Sequence, residues 1–384
     1  MRIALLSAEY PPDPGGVGDY TRRLGAALLA RGLDVHVLTG RHSTAVPVPP
    51  PAQELDAAGW GWHSWQAVVA ALAQLRPDVL HIQYQTGAYG MHPAINLLPW
   101  RLRRERQRPR VVVTAHDLLE PYLLPKAAPL RRWVTRRLLA GADAAVVTNG
   151  QDAAEARDRL GVQSRLIPIG SNILVAPPPG YERGRWRAAL GVGAGETLMA
   201  YFGMISRSKG LETLLDALEQ LPPQVRLLLI GGPSPAPHDQ VYAADIQRQI
   251  AARGLSGRVQ ITGHCDEEQV SAHLLAADLA ALPFADGATF RRGSLLAALA
   301  HGVPVVTTTH PQGNPGLAEA ALLVPPGDAA GLARAVARLQ AEDGLRARLS
   351  SAGKTLAASF SWGRIAEQHE EVYRTVNHSS MPNN

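Results

Sequence analysis

Residues 2–39 read RIALLSAEYPPDPGGVGDYTRRLGAALLARGLDVHVLT. The first six are a short apolar run without helical period, and Pro and Gly then punctuate the chain. Residues 20–31 carry apolar side chains at helical spacing until Gly32 stops them, and a second apolar run follows at 34–39. Strand, glycine loop, helix, strand is the repeating unit of parallel sheets covered on both faces.

Outward from this stretch the same alternation recurs. Strands are expected at 78–84, 110–116, 143–148 and 165–169, with helices at 64–75, 97–107, 130–140 and 152–160. Pro177, Pro178, Pro179 and Gly180 interrupt the pattern as a linker would. A second alternation starts at Thr197, with strands at 197–203, 225–231, 258–263, 279–283, 304–308 and 321–324. Its principal helices are expected at 211–221, 241–253, 267–277, 294–301 and 329–340. The VPVPPP stretch at 46–51 reads as a loop. The fold class is therefore α/β: two doubly wound domains, 1–176 and 181–360, facing each other across a hinge.

Composition narrows the class. A chain of 384 residues is long enough for two such domains, and 18% charged against 46% hydrophobic residues excludes a disordered protein. The net charge of +5 is mildly basic. Cys265 is the single cysteine, so no disulfide forms within the chain, which fits a reducing, cytoplasmic setting. The opening MRIALL is shorter than a signal-peptide core, and every apolar run is broken before the length of a membrane span.

Ligands of open parallel sheets bind where strands end at their carboxyl termini, so the loops after strands carry the functional reading. Gly15, Gly16 and Gly18 let backbone N–H groups approach an anion at a helix N-terminus capped near Asp19. The same Pro-Gly-Gly composition also suits a plain turn. GGVG lacks the third glycine of a dinucleotide fingerprint, and the second strand runs into Thr39 and Gly40 instead of an acid, which argues against an NAD oxidoreductase. In the second half, MISRSKG sets Arg207 and Lys209 in a strand-to-helix loop where cations would meet a diphosphate; solvated loop charges are the plainer alternative. FADGATFRRGSLLAALAHGVPVV places Asp286, Arg291, Arg292, Gly293 and Ser294 before an apolar helix, with Ser294 at the N-cap. No acidic cluster calls for a metal.

Five segments in order, the 11–39 opening, VVVTAHD, AYFGMISRSKGLETLLDAL, RVQITGHCDEEQVSAHLLAADLAALPF and LLAALAHGVPVVTT, resemble the retaining, nucleotide-sugar-dependent glycosyltransferases of family 4, the group 1 glycosyltransferases. The resemblance covers nearly the whole chain and implies the GT-B architecture, two facing Rossmann-like domains with an interdomain cleft. It further implies that Gly15, Gly16 and Gly18 line that cleft near the donor phosphates and the acceptor. His116 would lie near the donor sugar and Lys209 would neutralise the diphosphate. Backbone around His264 and Cys265 would hold the base, and Asp286 would be the first acid of the family's Glu-x7-Glu element. His116 and Asp286 are thus the candidate catalytic pair.

The chain departs from the family pattern. Met204 stands where an arginine usually follows the glycine of the first strand of the second domain, leaving Arg207 to supply the charge. The second Glu position falls on Ala297, so Gly293 and Ser294 would hold phosphate or sugar instead. FSWGRIAEQHEEVYRTV at 360–376 is similar to the family's final helix, implying that helix 361–378 crosses back onto the first domain with Trp362 and Tyr373 packing there.

The implied reaction moves a sugar from a nucleotide-sugar to a hydroxyl acceptor (glycan, lipid or small molecule), with retention, without metal and without a cofactor beyond the donor. A nucleotide-sugar epimerase on the same fold and a catalytically silent nucleotide-sugar-binding protein are the alternatives; an α-glucan phosphorylase would need a pyridoxal phosphate lysine. WRLRRERQRPR, from Trp100 to Arg110, and LRRWVTRR at 130–137 mix arginines with tryptophan. Such runs are usually solvated helix faces, and they also suit peripheral contact with an anionic membrane at its inner face. Nucleic-acid binding is not expected, since no recognition module accompanies the arginines.

Overall fold

The computed structural model describes residues 1–13, 15–40, 52–55, 59–119, 128–234 and 236–378. The 46–51 loop lies outside them. The chain divides into two compact units, Met1–Gly170 joined by the chain from Trp362 onward, and Ser171–Ser361.

The first unit runs β1 (Arg2–Ser7), α1 (Gly16–Ala30), β2 (Asp34–Thr39), β3 (Ala52–Glu54), α2 (Ser64–Leu75), β4 (Val79–Tyr84), α3 (Ala94–Leu102), β5 (Arg110–Ala115), α4 (Ala128–Gly141), β6 (Ala144–Val147), α5 (Gly150–Asp158) and β7 (Arg165–Leu166). Its strands pair in parallel in the order β3-β2-β1-β4-β5-β6-β7. Ile3, Ala4, Leu5 and Leu6 are all buried, because a central strand covered on both faces needs apolar residues without alternation. Tyr20, Leu24 and Leu28 recur at helical spacing as the buried stripe of α1.

The second unit runs α6 (Arg183–Ala189), β8 (Thr197–Phe202), a 3-10 turn (Arg207–Lys209), α7 (Leu211–Glu219), β9 (Val225–Ile230), α8 (Pro237–Ala252), β10 (Val259–Ile261), α9 (Glu267–Ala276), β11 (Leu279–Leu282), α10 (Gly293–Ala300), β12 (Val305–Thr308), α11 (Leu317–Ala320), β13 (Ala321–Val324), α12 (Ala329–Ala341) and α13 (Asp343–Ala358). Its parallel sheet has the order β10-β9-β8-β11-β12-β13. The last helix, α14 (Trp362–His378), packs on α1 of the first unit, burying Trp362, Ile365 and Tyr373 there. In each sheet the strand order reverses once, between β1 and β4 and between β8 and β11. The loops that diverge there, 8–13 with 85–93 and 203–210 with 283–292, are where such folds hold ligands.

Three expectations need correction. Helix 97–107 ends at Leu102: Pro99 deprives it of one backbone bond, and Arg103, Arg104 and Glu105 leave through i→i−3 turns. Asp19 does not cap α1, which begins earlier on Gly15 and holds Asp19 in its first turn. Ser294 is not an N-cap either; Arg292 occupies that position without a side-chain bond, and Ser294 lies inside the first turn of α10. Strand β3 and helices α6, α11 and α13 were not anticipated at all. The first three are too short to show a period, and the apolar residues of α13 are sparse, with Leu345, Leu349, Gly353 and Ala357 as its buried face.

Candidate functional site

In the first unit, the glycine loop closes around a carboxylate. Ser7 Oγ donates to the Glu9 carbonyl at 2.6 Å, fixing the chain as it leaves β1. The Glu9 side chain then turns to the start of α1, where the Val17 and Gly18 amides donate to its carboxylate. Burial pushes this carboxyl above its ordinary value, and the two amides pull it back only in part. Space presses on two of the three glycines: a Cβ on Gly15 would stand 2.2 Å from Glu9 Oε2 and one on Gly18 would stand 3.1 Å from the Glu9 carbonyl, whereas one on Gly16 would meet nothing within 4 Å. The helix N-terminus thus holds an anion belonging to the chain itself.

His116 follows β5 directly, its amide bonded to the Tyr84 carbonyl at 2.8 Å. Its Nε2 lies 3.0 Å from Gln83 Oε1, and its ring meets that of Tyr20 edge-on with centroids 4.6 Å apart. Since Tyr20 belongs to α1, the structure brings His116 and the Gly15, Gly16 and Gly18 loop to the same edge of one sheet. Behind them lies a polar layer. His81 and His369 are fully buried, and burial, with the other histidines nearby, holds both below the ordinary imidazole value, His369 at about 3. Both are neutral.

In the second unit, Lys209 and Arg292 share one aromatic ring. Lys209 Nζ lies 5.4 Å and the Arg292 guanidinium carbon 4.9 Å from the centre of Phe284. Burial lowers the Lys209 ammonium first, the Arg292 charge lowers it further, and Asp286 opposes both. The Asp286 carboxylate accepts from Arg292 and is itself 61% exposed. Lys209, Asp286 and Arg292 therefore form one cluster at the β8/β11 reversal. Gly210, with φ +68°, makes the loop possible, since a Cβ there would lie 2.0 Å from the Pro283 carbonyl.

The remaining candidates are placed as follows. Arg207 lies over Tyr242 of α8, at 5.1 Å, so its side chain does not join Lys209 at Phe284. Met204 is exposed and brings no charge. Ser294 is nearly buried behind Gly203, whose Cβ position is 3.8 Å from Ser294 Oγ; Gly293 opens α10 beside it. Ala297 is wholly inside the core. His264 is exposed and Cys265 half-buried in the loop after β10, which a bridge between Gly231 and Gly263 ties to the loop after β9. Among the described residues no group of three His, Cys, Asp or Glu is arranged to hold a metal ion. Glu9, Gln83 and Phe284 were missed as site residues, and Arg292 was noted only as part of RRGS. A signal existed for Gln83: with His81 it places two polar residues on one face of a central strand.

Comparison with known proteins gives this edge chemistry a context. Residues 15–170 match the model of the glycosyl transferase 4-like domain, and residues 196–342 match that of the glycosyl transferases group 1. D-inositol 3-phosphate glycosyltransferase of Xylanimonas cellulosilytica is 26% identical, over 97% of this chain and 96% of that protein. Phosphatidyl-myo-inositol mannosyltransferase of Mycobacterium leprae is 26% identical, over 98% and 97%. Among solved structures, sucrose-phosphate synthase from Thermosynechococcus elongatus is 28% identical with a TM-score of 0.75, covering 99% of this chain and 100% of that one. The epimerase and the silent binding protein find no support among these relatives. The chain belongs to the group 1 glycosyltransferases of family 4, enzymes of the GT-B fold that transfer a sugar from a nucleotide-sugar donor.

Proposed function

We propose that the donor diphosphate is held by Lys209 and Arg292 over Phe284, with the Gly293 and Ser294 amides at the start of α10 as further donors. The observation that carries this reading is the cation pair itself. Two like charges share one ring with a single exposed carboxylate, Asp286, for balance, an arrangement that costs the unliganded protein and favours a polyanion. Cleavage of the sugar–phosphate bond concentrates charge on the leaving diphosphate, and donors already fixed in place lower that barrier. These cations do the work a metal would otherwise do. His116 and Asp286 orient the donor sugar, the loop at His264 and Cys265 receives the base, Arg207 provides long-range attraction from its place over Tyr242, and transfer proceeds with retention. The acceptor is a hydroxyl compound bound by the first unit at Gly15, Gly16 and Gly18, where Glu9 offers a hydrogen-bond acceptor. One relative is named for D-inositol 3-phosphate and another for phosphatidyl-myo-inositol, so an inositol-bearing acceptor is the first to try.

A panel of nucleotide-sugars and nucleoside diphosphates tests the reading by thermal shift. A true donor at a hundred times its Kd adds about 2.7 kcal/mol of apparent stability. Nucleoside diphosphate release should then require an acceptor. If no nucleotide raises the melting temperature, the diphosphate assignment fails.

A second reading concerns location. Trp100 on α3 and Trp133 on α4 are 41% and 43% exposed, with Arg104 and Arg137 stacked on them at 4.3 and 5.0 Å. The run that ends at Arg110 leads into β5, at the edge of the sheet opposite His116. Among the described residues no helix is long and apolar enough to cross a membrane. We infer that this face rests on the anionic inner surface of a membrane. Co-sedimentation with anionic vesicles, reversed by salt, is expected; equal binding to neutral vesicles would refute it.

A further inference from the structure

A continuous buried chain of polar side chains leads from the terminal helix to His116. Tyr373 of α14 has its hydroxyl 2.7 Å from His81 Nδ1, and His81 Nε2 is 2.7 Å from Thr114 Oγ1. The Gln83 amide nitrogen stands 3.2 Å from both ring nitrogens of His81, a position over the ring face and not in its plane. An aromatic face is electron-rich, so it accepts an N–H and repels a carbonyl oxygen. This orients the Gln83 amide: its NH2 faces His81, and its Oε1 is left for His116 Nε2 at 3.0 Å. An oxygen can only accept, so His116 must carry its proton on Nε2. In the neutral ring Nδ1 is then the nitrogen that bears no proton. Tyr20 closes the other side, its ring edge-on to His116 and its hydroxyl 2.9 Å from His369 Nε2.

We propose that Gln83 is a positioning residue that locks His116 as the Nε2–H tautomer, with Tyr20 against the ring, and that this lock is anchored on the terminal helix at two points, on Tyr373 through His81 and on His369 through Tyr20. Its link to turnover rests on the reading of His116 as the donor-sugar contact. The lock matters because a hydroxyl of the sugar can donate only to a ring nitrogen that bears no proton, and a tautomer that interconverts presents that nitrogen only part of the time.

The test uses the full chain labelled with 15N-histidine, whose long-range 1H–15N spectra distinguish the two tautomers; loss of one pattern in His116→Ala assigns the signal. His116 in the wild type should show the Nε2–H pattern alone. Gln83→Leu should convert it to a mixture and lower kcat, with the donor selected by the thermal panel, by about tenfold or more, while affinity for the corresponding nucleoside diphosphate is unchanged. If Gln83→Leu folds poorly, Gln83→Met, nearer in shape, carries the same comparison. A mixed or Nδ1–H pattern in the wild type overturns the proposal, as does an unchanged pattern in the Leu and Met variants. A lost pattern with full activity in Gln83→Leu and none in His116→Ala overturns the link to turnover. Full activity in both variants, with the pattern lost, leaves the lock standing and removes His116 from the donor site.

Discussion

Replacing Lys209 by Met separates binding from folding. The Met side chain keeps most of the apolar stem that lies along Phe284 and removes only the charge. Lys209 and Arg292 each lie within 5.4 Å of the same ring centre, so their charges are no more than about 10 Å apart. Coulomb's law at that separation gives about 0.4 kcal/mol of repulsion in water and about 1.7 at an effective dielectric of 20. With screening at this partly open position, relief on the order of 0.5 kcal/mol remains. The unliganded variant should therefore melt at or slightly above the wild-type temperature. A charged hydrogen bond to a phosphate oxygen contributes about 1.5–3 kcal/mol, so the affinity for a nucleoside diphosphate should fall roughly 10- to 150-fold. Calorimetric titration with the nucleoside diphosphate selected by the thermal panel and thermal melts on the same preparation measure both quantities. A variant that binds that nucleoside diphosphate within twofold of wild type yet melts several degrees lower would show that Lys209 serves the fold, and the cation-pair argument would be wrong.

Three further outcomes are expected. His116→Ala should lower kcat about a hundredfold with little change in nucleoside-diphosphate affinity, and kcat per folded molecule, corrected by a melt of the same sample, checks it. Gly210→Ala places a Cβ 2.0 Å from the Pro283 carbonyl at φ +68°, so it should cost about 1–3 kcal/mol of backbone strain besides the clash and weaken nucleoside-diphosphate binding, as chemical denaturation and titration would show. Asp143 accepts from Val111 N at 2.8 Å and from Arg108 and Arg110; burial works against the charged form, yet these donors hold its carboxyl below the ordinary value. Because the folded value is depressed, its contribution is complete above the unfolded value near 3.8 and is lost as the pH falls through the folded one. Asp143→Asn should thus cost about 1.5–3 kcal/mol at pH 7, a difference from wild type that shrinks in urea titrations below about pH 4.

The parts of this protein that its sequence determined unaided are those written in neighbouring residues. Strands β1, β2 and β13 and helix α2 begin and end where apolar period and breakers place them, because both signals act within a few residues. The candidate loops were legible for the same reason: glycines and cations directly after a strand can be read without knowing what packs beside them. Polar partnerships were not legible. Nothing near Glu9 announces that its carboxylate will bind the amides eight and nine residues later, and Ser294 looks like a cap until the backbone shows Arg292 in that position. Lys209 and Arg292 are far apart in sequence and meet only because β8 and β11 are adjacent in the sheet. The contact between Tyr373 and His81 spans 292 residues and exists only once α14 has docked on α1. Hydrogen bonds and charge pairs depend on distances of a few tenths of an ångström between separate elements, and only tertiary packing sets those distances.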